Sequence, residues 1–240
     1  MKTILLTMES DSLILPVNYS NMIQGMIYSL ISDDSAYAEA VHDHGFQFEE
    51  RKYKLFTFGP LKGRSRYADK KLYFSSNLQL EIRFVDDHMA ELAFLHLQEQ
   101  PVVRIGSGNL NVISFQISET MIFQDQLIIR MAAPVTIHST EENGHTHYYS
   151  PDEPEFRELI IQNIYKKYLA AYGKQYIGIL DIIPVNVKPS DKIVTSFKGI
   201  IITGWKGDFC ITADRELLKF LYYAGLGDRN SQGFGMFEII

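Results

Sequence analysis

The sequence has little cysteine and no long apolar run. Cys210 is the one cysteine among 240 residues, which excludes an internal disulfide framework and is typical of a reducing compartment. We expect it to be a small buried side chain in a strand. The apolar start, residues 1–8, is cut short by Glu9 and Asp11, so it does not make a signal peptide. Since no run has membrane-spanning length, the sequence predicts a cytoplasmic protein without a membrane partner.

Motifs of several common chemistries are also missing. The chain has no G-x-S-x-G elbow, and Cys210 has no base near it in sequence, which argues against a serine or cysteine hydrolase. It has no Gly-Lys-Ser/Thr ending of a phosphate-binding loop. In its glycine-rich stretch, Asn230 stands where a dinucleotide fingerprint needs a third glycine, and the stretch follows a predicted helix. We therefore expect no nucleotide cofactor.

Positive charge is scarce, with a net charge of −6, which argues against indiscriminate binding of nucleic acid. The basic residues are nevertheless concentrated in one strip, residues 51–71, which holds one acid, Asp69, and is interleaved with aromatic residues. Such a strip can follow a phosphate backbone and stack unpaired bases. A solvent-exposed hairpin explains the charge equally well. Candidate RNA contacts here are Lys52, Arg64 and Arg66.

A glycine-rich loop, residues 225–235, stands between a helical pattern and the last predicted strand. Glycine accepts positive φ and close backbone approach, so several N–H groups could point at one anion. A helix cap followed by a turn is the alternative. The candidate binding residues are Gly225, Gly227, Arg229, Asn230, Ser231, Gly233 and Gly235.

Hydrophobic periodicity predicts the same order of elements twice. The first half reads as a strand (2–8), helices (about Ile23–Ile31, then 36–44), strands (53–58, 71–75, 78–85), a helix and a hairpin (102–117). The second half reads as a strand (127–138), a helix opened by Asp152 and Pro154, strands between 177 and 212, a helix capped by Asp214, and a final strand (236–240). This predicts an α+β fold of two tandem ferredoxin-like (βαββαβ) domains packed side by side, 1–120 and 121–240.

The histidines divide into three groups. His42 and His44 stand at a helix end just before the basic strip. Either one could transfer protons, or could stand there only because the helix dipole stabilises a histidine near the C-terminus. His145 and His147 would share a strand face and could bind a metal with Glu141 or Glu142, although a surface hairpin is favoured. We expect the others, His88, His96 and His138, to be structural.

Several segments together resemble one family. These are the glycine-rich loop, Gly25-Met26-Ile27-Tyr28, Val41-His42, Lys54-Leu55-Phe56-Thr57-Phe58 followed by Pro60-Leu61, and the helix after Ser150-Pro151. The chain resembles the CRISPR-associated endoribonucleases that cut repeat RNA, the Cas-six family of the repeat-associated mysterious protein superfamily. The resemblance implies the fold predicted above and metal-independent cleavage of precursor CRISPR RNA, without a cofactor.

By residue matching, the resemblance implies three catalytic residues: His42 as general acid or base, Tyr28 assisting at the attacking oxygen, and Lys54 stabilising phosphate charge. His44 competes with His42. The resemblance implies that repeat RNA is the partner. It leaves open whether CRISPR effector proteins also bind and whether the chain forms a homodimer. Two rivals also stay open at this point: a non-catalytic RNA-binding subunit of an effector complex, and a metal enzyme that uses His145 and His147.

Overall fold

The computed structural model describes residues 1–240 apart from Asp11, Glu50, Glu142 and Asn143. The side chains of His42, His44, Phe48 and Arg51 also lie outside the described part. Two antiparallel sheets, each covered by helices on one face, form the two halves of the molecule.

The first half builds its sheet from residues 2–118. In chain order its elements are β1 (Lys2–Met8), β2 (Leu13–Pro16), α1 (Ser20–Leu30), α2 (Ser35–Glu39), a π-helical turn (Ala40–His44), β3 (Phe46–Phe48), β4 (Arg51–Tyr53), β5 (Phe56–Phe58), β6 (Ser65–Ala68), β7 (Lys71–Phe74), β8 (Leu78–Phe84), α3 (Asp87–Glu99), β9 (Val102–Ile105) and β10 (Gly108–Ser118). The main sheet has the order β5-β8-β1-β10-β9. Strands β2, β7 and β6 make a small separate sheet, and β3 and β4 make a hairpin.

The second half repeats the plan. Its elements are β11 (Gln126–Met131), β12 (His138–Thr140), β13 (Thr146–Tyr148), α4 (Pro154–Tyr172), β14 (Leu180–Asn186), a 3-10 turn (Pro189–Asp191), β15 (Lys192–Phe197), β16 (Ile200–Trp205), β17 (Asp208–Ala213), α5 (Arg215–Ala224), a second 3-10 turn (Asn230–Gln232) and β18 (Phe237–Ile239). The sheet order is β14-β17-β11-β18, with β12–β13 and β15–β16 as separate hairpins. Among the described residues, no helix is long and apolar enough to cross a membrane.

Both sheets have the strand order of a ferredoxin-like unit. The four strands of each βαββαβ unit are β1, β5, β8 and β10 in the first half and β11, β14, β17 and β18 in the second. In both sheets they lie in the order second, third, first, fourth, and neighbouring strands are antiparallel. Strand β9 adds a fifth strand beside β10 in the first sheet. The predicted α+β fold of two tandem ferredoxin-like domains is therefore confirmed. The domain boundary at residue 120 stays a proposal. It lies between the end of the first sheet at Ser118 and the start of the second at Gln126.

Each sheet buries the apolar stripe of two helices. In the first half, α1 contributes Ile23, Met26, Ile27 and Leu30, and α3 lies beside it with Met89 and Leu97. In the second half, α4 and α5 cover the sheet with residues such as Phe156, Ile160 and Leu221. Burial of such side chains stabilises the fold by about 1.5–3 kcal/mol each. Cys210 is buried in β17, as the sequence predicts.

Arg83 links the two halves. It lies on β8, is 2% exposed, and donates to the carbonyl oxygens of Tyr222 (3.1 Å) and Phe237 (2.8 Å) in the second half. Its guanidinium lies 3.6 Å from the ring centre of Tyr222 and pairs with Glu81 at 2.7 Å. A buried cation with these partners is costly to disturb, so Arg83 fixes how the domains dock.

Three predicted boundaries are wrong. The strand expected over residues 53–58 breaks, because Leu55 has φ 51° and β5 starts only at Phe56. The strand expected over 127–138 ends at Met131, because the amides of Ala132 and Ala133 both donate to the carbonyl oxygen of Met236. A separate strand, β12, begins at His138. The residue before α4 is Glu153 rather than Asp152, and its carboxylate accepts from the amide of Ser150.

Candidate functional site

A cavity of about 490 Å³ lies where the two domains meet. The first half supplies Gln24, Tyr28, Lys52, Tyr53, Lys54 and Leu55, and the second supplies His138, Asn163, Lys167, Ala224 and residues 227–232. Of the residues that the structure describes, four basic side chains, Lys52, Lys54, Lys167 and Arg229, line it against one carboxylate, Asp228. Such a concentration of positive charge in an acidic protein attracts a polyanion to this cleft.

Lys54 reaches the cavity because the chain bends beside it. Leu55, with its positive φ, is buried in the core of the second domain, whereas Phe56 belongs to the core of the first. Lys54 therefore stands where the backbone passes from one core to the other. Its Nζ donates to the carbonyl oxygen of Val41 at 2.6 Å, which ties the lysine to the residue directly before His42.

The surroundings of Lys54 weaken its hold on its proton. Partial burial is the main reason that the pKa of Lys54 lies below its ordinary value, the positive charge of Lys52 lowers it further, and Asp43 opposes both. A lysine with a lowered pKa gives up its proton more readily than a surface lysine does.

Tyr28 projects from α1 as a half-buried side chain. Its ring packs edge-to-face on Phe56, with ring centres 5.8 Å apart. Burial raises the pKa of Tyr28 to about 12. The phenol is therefore protonated near neutral pH and can donate a hydrogen bond into the cavity.

The backbone of His42 and His44 lies in the π-helical turn, Ala40–His44. This rare form of helix is frequent at functional sites. It is closed by the amide of Gly45, which donates to the carbonyl of Ala40 at 2.8 Å. Whether His42 or His44 is the catalytic histidine depends on side chains that lie outside the described part of the structure.

The glycine-rich loop forms the opposite wall, and most of its amides already have partners. Six of the eleven donate to carbonyl oxygens of the protein, namely those of Gly225, Leu226, Asp228, Gln232, Gly233 and Gly235. Side chains therefore supply much of what the loop can offer to a ligand. Arg229, Asn230 and Ser231, three of the predicted RNA contacts, line the cavity together with Gln232 and the backbone of Gly227.

Arg229 has a polar atom without a protein partner. The residue has φ 61°, and its Nε is buried with no hydrogen-bond partner among the described residues. A terminal nitrogen of the same guanidinium donates weakly to Gln232 at 3.3 Å. The residue as a whole is part-exposed and lines the basic cavity, where a guanidinium is suited to a phosphate oxygen.

The other predicted loop glycines serve the fold. A Cβ on Gly235 would lie 1.9 Å from the carbonyl oxygen of Leu226, and one on Gly233 would lie 2.9 Å from the ring of Phe58 in the first domain. Gly225 ends α5 with φ 77°. These three glycines permit close packing beside the cavity rather than lining it.

The structure also separates some predicted contacts from the cavity. Arg64 precedes β6 and Arg66 lies on it, in the small sheet β2-β7-β6, and both side chains are exposed outside the cavity lining. Arg66 lies over the ring of Tyr73, 5.3 Å from its centre. Lys52, from the β3–β4 hairpin, does line the cavity.

His138, expected to be structural, is one of the cavity residues. Its Nδ1 lies 2.8 Å from a carboxylate oxygen of Asp228, whose other oxygen accepts from Asn163 at 2.7 Å. Lys167 lies one turn beyond Asn163 on α4. Sequence reasoning missed all of these residues, although Asn163 and Lys167 fall at stripe spacing on a helix whose other stripe positions are apolar.

The second histidine pair makes ordinary surface contacts. His147 lies 2.9 Å from Glu153, and His145 is exposed with its Nδ1 3.9 Å from Glu141. Within the part of the chain that the structure describes, no group of three or more His, Cys, Asp or Glu side chains could hold a metal ion. Glu142, one of the ligands considered for this pair, lies outside that part.

Comparison with known proteins gives a consistent family. Residues 117–239 match the model of the C-terminal region of CRISPR associated protein Cas6. The CRISPR-associated endoribonuclease Cas6 1 of Methanocaldococcus jannaschii is 27% identical, and the match covers 96% of this chain and 90% of the relative. The CRISPR-associated endoribonuclease Cas6 of Pyrococcus furiosus is 25% identical, and the match covers 93% of this chain and 83% of the relative. The solved structure of a Cas6-related gene product from P. furiosus superposes with a TM-score of 0.85 at 16% identity, covering 100% of this chain and 98% of the other. The chain belongs to the Cas6 family of CRISPR-associated endoribonucleases, the Cas-six family that its motifs resemble.

Proposed function

We propose that this protein cleaves precursor CRISPR RNA within its repeats, without a metal ion, to produce mature guide RNAs. The observation that carries the proposal is the interdomain cavity, which has a basic lining and in which Tyr28 and Lys54 lie opposite the glycine-rich loop. Family membership supports the same activity, since the curated relatives are named as CRISPR-associated endoribonucleases. One of the similar structures is described as a Cas6 product complex, with a TM-score of 0.70.

The proposed reaction takes its nucleophile from the RNA. The 2′-hydroxyl loses its proton to a general base while its oxygen attacks the adjacent phosphorus. The bond from phosphorus to the 5′-oxygen breaks, and a general acid protonates that oxygen. The products are a 2′,3′-cyclic phosphate and a 5′-hydroxyl. Because nothing but proton transfer, charge stabilisation and alignment is asked of the protein, side chains can supply the catalysis.

Within this scheme, Lys54 stabilises the charge that develops on the phosphate oxygens. Tyr28 assists at the attacking 2′-oxygen as a hydrogen-bond donor, since a phenol with a pKa of about 12 is protonated during the reaction. His42 is the proposed general acid or base, with His44 as its competitor. The bond from Lys54 to the carbonyl of Val41 supports His42, because it places the lysine beside the backbone of that histidine.

The loop is proposed to hold the RNA backbone while the first domain cuts. Arg229, Ser231 and Lys52 would contact phosphate and ribose groups through their side chains. Asn230, whose side chain is bonded to Lys167, Leu226 and Phe234, would offer its backbone and keep the shape of the loop. Arg64 and Arg66, exposed outside the cavity, would touch a flanking part of the repeat. Effector-complex proteins and a second copy of the chain remain proposed partners on the strength of the family resemblance alone.

The direct test incubates the purified protein with its cognate repeat RNA in EDTA and maps the ends of the products. We expect one discrete cut, a 2′,3′-cyclic phosphate upstream and a 5′-hydroxyl downstream. A cut that needs added divalent metal would contradict the mechanism. Tight binding without any cut would instead favour the non-catalytic RNA-binding subunit.

A further inference from the structure

Lys167 is a buried lysine that the proposed chemistry does not use. Its side chain is 2% exposed. Its Nζ donates to the carbonyl oxygens of Gly225 at 2.6 Å and Gly227 at 3.1 Å, and to Oδ1 of Asn230 at 2.9 Å. A lysine ammonium has three N–H donors, so all of them are directed at the glycine-rich loop.

The loop takes its shape around this amine. Gly225 and Gly227 both have positive φ, 77° and 65°, which allows their carbonyl oxygens to converge on one point. The side-chain Nδ2 of Asn230 completes the loop by donating to the carbonyl oxygens of Leu226 and Phe234. One turn earlier on α4, Asn163 holds Asp228 of the same loop at 2.7 Å. Helix α4 therefore supports the loop at two points.

We propose that Lys167 is a positioning residue, which holds Gly225, Gly227 and Asn230 so that the loop keeps the shape in which it takes up the RNA backbone. This inference rests on the proposed binding of repeat RNA. Without the amine, two buried carbonyl oxygens lose their donor, and such groups turn to find another. The loop then relaxes, and Arg229 and Ser231 move away from the positions at which they face the cavity.

The same contacts couple RNA binding to pH. Burial lowers the pKa of Lys167 to about 7, and the carboxylate of Asp228 opposes the effect. Among the described residues, the other charged or titratable groups that line the cavity are Arg229 on the loop, His138 on β12, Tyr28 on α1, Lys52 and Tyr53 on β4, and Lys54 just after it. A neutral amine has two N–H donors for three acceptors and turns its lone pair toward an oxygen.

The charge of Lys167 sets the direction in which RNA affinity changes with pH. The loop has its binding shape when Lys167 is charged, so RNA affinity is greatest below pH 7 and falls as the pH rises above 7. Linkage of one proton gives at most about ten-fold per pH unit. By reciprocity, RNA phosphates favour the ammonium, so binding takes up a proton at mildly alkaline pH.

The test measures affinity for fluorescent cognate repeat RNA, with a 2′-deoxy sugar at the cut site, from pH 6 to 9. Lys167→Met is compared with wild type and with Lys174→Met, which removes an exposed lysine that pairs loosely with Glu216 at 3.9 Å. At pH 6.5 we expect Lys167→Met to weaken binding about ten-fold, a loss of about 1.4 kcal/mol, and to flatten the pH dependence. Lys174→Met should follow the wild-type curve.

A folded Lys167→Met protein with wild-type affinity and pH dependence would overturn the inference while leaving the proposed function intact. Wild-type protein that binds no repeat RNA at any pH would overturn the proposed function itself. If Lys167→Met does not fold, Lys167→Gln takes its place. Calorimetry in two buffers of different ionisation enthalpy then compares proton uptake on binding, which we expect to be smaller in the variant than in wild type.

Discussion

Lys52 and Lys54 differ in their surroundings although they are two residues apart. Lys52 is exposed, whereas Lys54 is partly buried and bonded to the carbonyl of Val41. Burial first, and the charge of Lys52 second, lower the pKa of Lys54 from its usual 10.5. Because the charged form is the one proposed to stabilise the phosphate, cleavage should be complete below this lowered pKa and fall as the pH rises through it.

This difference predicts the effect of Lys52→Ala on the pH–rate profile. Removing the neighbouring charge raises the pKa of Lys54, so the alkaline limb of the cleavage rate at saturating protein should move to higher pH. Affinity should fall a few-fold from the loss of one phosphate contact. The measurement is single-turnover cleavage from pH 7 to 10, with Lys70→Ala as a control that removes another exposed lysine of the basic strip. An alkaline limb that stays in place would argue against Lys54 as the charged group.

At the scale of elements, the π-helical turn depends on Gly45. Its φ of 58° disfavours other residues, and a Cβ there would lie 2.5 Å from the carbonyl oxygen of Tyr53. The turn that carries His42 and His44 can therefore lie against the strand end that leads to Lys54. A side chain at this position would separate the two segments.

We predict that Gly45→Ala lowers the cleavage rate at saturation by about 10- to 100-fold, because small misplacements of catalytic groups have effects of this order. RNA affinity should change little. Gly173→Ala is the matched control, since Gly173 also has positive φ, 66°, but has nothing within 4 Å of the added Cβ. It should lose some thermal stability and no activity. Equal rates in the two variants would show that the position of the turn does not matter.

Much of the element order follows from the sequence, because apolar periodicity and capping residues are local signals. Asp214 caps α5 through its side chain, as predicted, and Asp86 caps α3 in the same way. The bend at Leu55 could not be predicted, since a bulky apolar residue outside a tight turn seldom takes positive φ and no local signal marks it. That bend is what brings Lys54 to the domain junction.

The site is also only partly predictable. Tyr28, Lys54 and the loop are found by resemblance, whereas Lys167 and His138 become visible only when the domains are folded. Polar residues at stripe positions of α4 are a signal that sequence reasoning could have used, because a buried lysine needs partners. The partners themselves lie 58 to 63 residues away in sequence, beyond the reach of any local pattern.

At the scale of the whole molecule, the cavity exists because the domains dock in one arrangement. Arg83→Met should lower the free energy of unfolding by about 2–4 kcal/mol, since the carbonyls of Tyr222 and Phe237 and the carboxylate of Glu81 lose their donor. Urea denaturation measures the loss. Arg157→Met, which removes an exposed pair with Asp181, should cost less than about 1 kcal/mol. A similar loss in both variants would mean that Arg83 does not fix the docking.

The two domains are proposed to have separate tasks: the first domain cuts, and the glycine-rich loop of the second holds the RNA. One experiment separates the two, by measuring both affinity and single-turnover rate at saturating protein on cognate repeat RNA. His42→Ala should lose at least about 100-fold in rate and keep its affinity, and His44→Ala should keep both. Arg229→Ala should bind about ten-fold more weakly and cut at the wild-type rate once saturated. Full activity in His42→Ala, or an Arg229→Ala protein that binds normally but cuts slowly, would contradict the account.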